Sequence, residues 1–149
     1  MKSRPFPWRC PRCRLPEVAP AIIPYRVEVR HDNILHLLDL PRFEVPRCGS
    51  CGELVLGNDA DEQINEALRS KLHLLKPDDI SNSREGLSIS RDKLAECLGI
   101  SLEQLSDWEE GTSLPSRSMD RFMRVYFALP EVRDVLSDCL VQDSIMQSA

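Results

Sequence analysis

Over its second half, the chain places apolar residues at helical spacing. Ile64, Leu68, Leu72 and Leu75 form one stripe. They predict a helix that starts near Asn58 or Asp59 as cap, carries Asp61 and Glu62 near its N-terminus, and ends at Lys76 before Pro77. Pro77 suits the first position of a following helix, about 77–87, with Ile80 and Leu87 inward. Two short helices follow at about 90–98 and 101–110, then one at about 116–128 with Met119, Phe122, Met123 and Tyr126 on one face. From Pro130 a last helix turns Val132, Val135, Leu136, Cys139 and Leu140 inward, and a frayed tail begins at Gln142. The first sixty residues lack this period. Pro16, Pro20 and Pro24 are unsuited to helix, whereas residues 25–30 alternate as a strand does. His31-Asp32-Asn33 reads as a turn, residues 34–38 and 42–45 as extended, and Glu53-Leu54-Val55-Leu56 as a short closing strand.

The pair of short helices, RDKLAECLGISLEQLSDWEE over 91–110, has the framework of a helix-turn-helix. Two helices crossing steeply need a small side chain at closest approach, which Ala95 supplies, and a turn residue tolerant of positive φ, which is Gly99. Leu94, Leu98, Ile100, Leu105 and Trp108 fill the apolar slots, Ser101 caps the second helix and Gly111 ends it. Such a motif lays its second helix in a major groove. The places that would face the groove are Ser101, Leu102, Glu103, Gln104, Ser106, Asp107 and Glu110, which hold three acids and no base. Phosphate contacts are expected instead at helix N-termini: Arg91 and Lys93 near residue 90, and Ser116, Arg117, Ser118 and Arg121 near residue 116. A solvated helix face is the competing reading of Arg117, Arg121 and Arg124, and an ion pair with Arg84 is the expected role of Glu109.

Four of the six cysteines are paired, as Cys10-Pro-Arg-Cys13 and Cys48-Gly-Ser-Cys51, with 34 residues between the pairs. Two intervening residues let both sulfurs of one turn face a single ion, so the set predicts one structural Zn²⁺ held by Cys10, Cys13, Cys48 and Cys51. Gly49 and Gly52 leave the amides of the second knuckle free to turn toward the thiolates. A unit of fewer than sixty residues cannot bury enough apolar surface alone, so zinc supplies folding free energy there. Cys97 and Cys139 read as buried structural thiols, while His31, His36 and His73 are scattered.

Charge is uneven. Residues 1–60 hold nine Lys and Arg against seven Asp and Glu, and residues 61–149 hold ten against seventeen, giving +2 and −7 within a net −5. Non-specific attraction to phosphate is therefore weak. No stretch approaches the roughly 18 apolar residues of a membrane span, and the start runs into prolines instead of an apolar signal core, so a cytoplasmic protein is expected. Four thiolates leave no open coordination position, and there is no HExxH and no phosphate-cradling glycine loop, so an enzyme is not expected.

In sequence, CPRC, a hairpin, CGSCGE, a linker helix, then RDKLAECLGISLEQLSDWEEG and SLPSRSMDRFMRVYFALPE resemble the MqsA/YgiT-type regulators over about residues 10–136. These are bacterial zinc-finger and helix-turn-helix proteins, several of them antitoxins. The resemblance implies an α+β chain with a zinc-ribbon-like β domain at 1–57, a linker helix at 58–76, and an all-α, lambda-repressor-like helix-turn-helix domain at 77–141. A flexible tail at 142–149 completes the division. It further implies a homodimer on a palindromic double-stranded operator, repression of its own operon, and a small basic toxin as partner. Arg91, Ser83 and Asp107 depart from the family's usual pattern. The alternative is a protein-interaction module whose acidic helix binds a basic protein instead of DNA.

Overall fold

The computed structural model describes the backbone of residues 4–147 and side chains as far as Asp138. The chain is α+β: a two-stranded antiparallel sheet followed, among the described residues, by six helices. The strands are β1 (Val18–His31) and β2 (Ile34–Cys48). The helices are α1 (Asn58–Leu72), α2 (Pro77–Gly86), α3 (Arg91–Leu98), α4 (Leu102–Glu110), α5 (Arg117–Ala128) and α6 (Pro130–Gln147). Two compact units meet in sequence inside α1, at Leu68 and Arg69.

In the first unit, Asp32 and Asn33 both take positive φ (52° and 62°), which makes a two-residue turn whose twist matches the flanking strands. The ribbon absorbs prolines because neither strand lies between two others. Val18 exchanges backbone bonds with Trp8 on the outer edge, so Pro20, two residues on, directs its nitrogen off the same edge and forfeits no ladder bond. Pro20 pairs with Pro46, and the register slips at Pro24. Along β2, Glu44 turns its amide and carbonyl outward, where the Gln63 side chain clips both at 2.9 and 2.8 Å. A continuous hairpin thus replaces the separate extended pieces expected, and the closing strand at 53–56 shrinks to a bridge between Leu54 and Arg47. Leu38, Leu40, Phe43 and Val45 are buried on one face of β2.

In the second unit, Ile80, Leu94, Ala95, Leu98, Leu105, Trp108, Met123 and Tyr126 form the core, with Leu75, Leu87, Ile100, Met119, Phe122 and Leu136 packed around it. Three boundaries differ from expectation. α1 stops at Leu72, not Lys76, because His73 takes a left-handed φ of 54° and Leu74 folds back to donate to Arg69 O at 3.0 Å. Val135, expected inward, is 62% exposed: Leu136 faces the core and Val135 lies about 100° round the helix from it. α6 also continues to Gln147, past the tail expected from Gln142, since no Gly or Pro interrupts it. Cys139 and Leu140 fall outside the described side chains. No helix among the described residues is long and apolar enough to cross a membrane.

Candidate metal centre and the exposed face of the short helix pair

The two knuckles sit at the base of the hairpin, one just before β1 and the other closing β2. In the first, Arg14 takes φ 69° and donates to Cys10 O at 3.0 Å, while the amides of Arg12 and Cys13 point at Cys10 Sγ from 3.3 and 3.5 Å. The second repeats the turn: Gly52 takes φ 76° and donates to Cys48 O at 3.0 Å. The Gly49 amide, expected to serve a thiolate, donates to Glu17 O at 2.9 Å and ties the knuckle to the start of the hairpin.

All four sulfurs lie within 4.8 Å of one another. Cys10 Sγ is 3.6 Å from Cys51 Sγ, and Cys13 Sγ is 3.6 Å from Cys48 Sγ. A tetrahedral ion with bonds of about 2.3 Å to sulfur separates its ligands by about 3.8 Å, so the cluster is compatible with one four-thiolate metal site. Burial pushes the Cys10 thiol up, but the amides of Cys13 and Arg12 and the Cys51 sulfur outweigh it and leave the group at about 7. The Leu15 amide pulls Cys13 down, yet burial and the sulfurs of Cys48, Cys10 and Cys51 drive it up to about 12. Four thiols this close cannot all ionise on their own; a cation among them removes the conflict.

In the second unit, α3 and α4 meet through Gly99, left-handed at φ 72° and ψ 33°, after which Ile100 donates back to Ala95 O. Ser90 caps α3 by accepting from Lys93 N. Ser101 caps α4 and forms a reciprocal capping box with Gln104, and Gly111 closes it at φ 82°. Leu105 and Trp108 are buried, anchoring α4, while Ser101, Leu102, Glu103, Gln104 and Glu110 are exposed and Ser106 and Asp107 half-exposed. The expected outward face is therefore outward.

Glu109 has a side chain wholly removed from solvent and does pair with Arg84, at 2.7 Å between Oε1 and Nε. A second guanidinium joins from the other side: Arg91 Nε lies 2.6 Å from Glu109 Oε2, with Arg91 Nη1 3.9 Å from Glu110. Arg91, expected to face phosphate, is thus committed to the protein through its Nε. Lys93 pairs with Glu96 at 3.5 Å. At the start of α5, Ser116 accepts from Met119 N, its hydroxyl lies 3.2 Å from that of Ser118, and Arg117 and Arg121 are exposed. Arg124 is not part of a solvated face alone, because it pairs with the buried Asp120 at 2.8 Å and donates to His73 O. Asp120 also accepts from Leu75 N at 2.7 Å, pinning the loop before α2 to α5. That role was foreshadowed only by the four-residue spacing of Asp120 and Arg124. The chain matches no family model and no curated protein.

Proposed function

We propose that this protein is a DNA-binding transcriptional regulator, with a zinc ion clamping the knuckled hairpin and α3–α4 acting as a helix-turn-helix that presents α4 to a major groove. The observation that carries the reading is α4 itself. It is a nine-residue helix, capped at both ends and anchored by Leu105 and Trp108, that leaves its N-terminal residues Leu102, Glu103 and Gln104 uncovered. Base contacts from such a helix come from its first turns, where Gln104 is the residue suited to adenine and Glu103 to cytosine N4. Positioning falls to the N-terminus of α5, with Ser116, Ser118, Arg117 and Arg121, because backbone amides and the helix dipole favour phosphate there. The cysteine set supports zinc: a closed tetrahedron of thiolates is a structural arrangement, holding the hairpin base together without an open position for catalysis.

Cations beside α4 are few, so affinity depends on a small number of phosphate contacts and falls gently with salt. Gel-shift titration with the duplex upstream of its own gene tests the reading. Sequence-selective retardation at low salt is expected, and its absence there contradicts the assignment. One observation favours a second reading: Glu103, Asp107 and Glu110 give the exposed face of α4 three carboxylates and no cation. That face suits a basic protein, and recovery of a small basic partner by an intact α4, lost on Glu103→Lys, would select it.

A further inference from the structure

The four cysteines are not equally sheltered. Cys10 and Cys48 are sealed from solvent at 0% and 1% exposure, Cys13 is half-buried, and Cys51 is exposed. A cleft of about 560 Å³ opens beside Cys51, lined by Glu17, Ala19, Arg47, Ser50 and Gly52. It is wide enough to admit a small oxidant to that sulfur. The sulfurs also differ in their bonding. Cys10 Sγ accepts from the amides of Arg12 and Cys13, which draw charge from a thiolate and mute it, whereas no amide is directed at Cys51 Sγ among the described residues. Cys10 Sγ, from the other knuckle, lies 3.6 Å from it.

We propose that Cys51 is a site of oxidative modification, where the exposed thiolate attacks hydrogen peroxide, Cys10 closes a disulfide with it, and the bound zinc is released. The inference rests on the reading that the four cysteines hold zinc. In the first step the Cys51 thiolate attacks the peroxide; the O–O bond breaks, an S–O bond forms, and hydroxide leaves, giving a sulfenic acid. In the second, the Cys10 thiolate attacks the Cys51 sulfur; the S–S bond forms, the S–O bond breaks, and a second hydroxide leaves. Two sulfurs lose two electrons and one peroxide is reduced to two hydroxides, which solvent protonates. Zinc keeps only Cys13 and Cys48 and dissociates. The new bond links the same two knuckles that the ion linked, so the hairpin base stays closed while the metal departs.

The test uses the full chain, with zinc content measured first by elemental analysis. One equivalent of hydrogen peroxide is added, zinc release is followed with a chromogenic chelator, and disulfides are mapped by mass spectrometry from the initial phase. About one zinc should appear per Cys10–Cys51 crosslink, with that pair at least about fivefold more abundant than any other. Cys51→Ser should slow release about tenfold. If that variant fails to retain zinc, the wild-type map decides alone. Early dominance of Cys10–Cys13 or Cys48–Cys51, first oxidation at Cys13 or Cys97, or zinc retained in excess peroxide would each overturn the proposal. A protein that carries no zinc overturns both this and the metal reading; a zinc-loaded protein with an inert Cys51 overturns this alone.

Discussion

Replacing Glu109 by Gln tests the electrostatic centre of the helical unit without changing its shape. The carboxylate receives Arg84 Nε at 2.7 Å, Arg84 Nη2 at 3.4 Å and Arg91 Nε at 2.6 Å. An amide offers one acceptor oxygen and turns an NH₂ toward the other guanidinium, so one donor loses its partner and faces another donor. The two arginines do not lose equally. Arg84 is only 13% exposed and keeps Ile89 O and the solvated Glu85 as its remaining partners, whereas Arg91 is 41% exposed and can turn to water and Glu110. Removing one partner of a buried pair costs about 3–5 kcal/mol, while a solvent-screened pair is worth about 1 kcal/mol or less. Glu109→Gln should therefore destabilise the unit by roughly 3–4 kcal/mol, carried mostly by Arg84. At about 4–8 °C per kcal/mol for a domain of this size, its melting midpoint falls by roughly 12–30 °C. Trp108, buried in the same core, reports unfolding by fluorescence in a Trp8→Phe background. Arg91→Gln should cost under about 1 kcal/mol in the same assay. A Glu109→Gln protein within about 1 kcal/mol of the parent, or an Arg91→Gln loss as large as that of Glu109→Gln, would refute this division of the energy.

Gly99→Ala meets no atom within 4 Å and should cost only the left-handed strain of about 1–2 kcal/mol. Gly111→Ala adds a contact 3.3 Å from Pro77 Cγ and should cost more, which paired urea titrations would show. Stripping metal with a strong chelator should abolish the strand signal of residues 18–48 in backbone NMR and leave helices α2–α5 folded, because structural zinc supplies about 10–16 kcal/mol in small domains. Burial, reinforced by the Cys97 thiol, pushes the Tyr126 phenol up to about 12. Its neutral form is the one the fold favours, so its contribution is intact below the unfolded value near 10 and is lost as pH rises toward 12. Stability measured across that window should fall, and Tyr126→Phe should flatten the fall.

The helices were legible because their limits are written in local chemistry: Pro77 and Gly111 act through their backbone preferences, and Ser90, Ser101 and Ser116 through side chains that cap the following helix. The α1 terminus was not, because His73 adopts a left-handed conformation that its residue type does not announce. The hairpin's length was hidden by its prolines: Pro20 and Pro24 precede the strand expected at 25–30, and Pro41 and Pro46 flank the piece expected at 42–45, whereas a ribbon with two outer edges accommodates all four. Spacing alone brought the four sulfurs together on paper, but which of them is exposed depends on how the knuckles pack. The pairing of Arg91 with Glu109 was likewise invisible, since 18 residues and a turn separate them and charge type alone cannot choose between a phosphate and a carboxylate.

The direct measurement is a backbone amide NMR titration of the full chain with its upstream duplex at low salt. A groove-reading α4 predicts the largest shifts at Leu102, Glu103 and Gln104 and at Ser116 to Ser118, with the knuckles unmoved. Shifts that spare α4, or none at saturating duplex, would contradict the account.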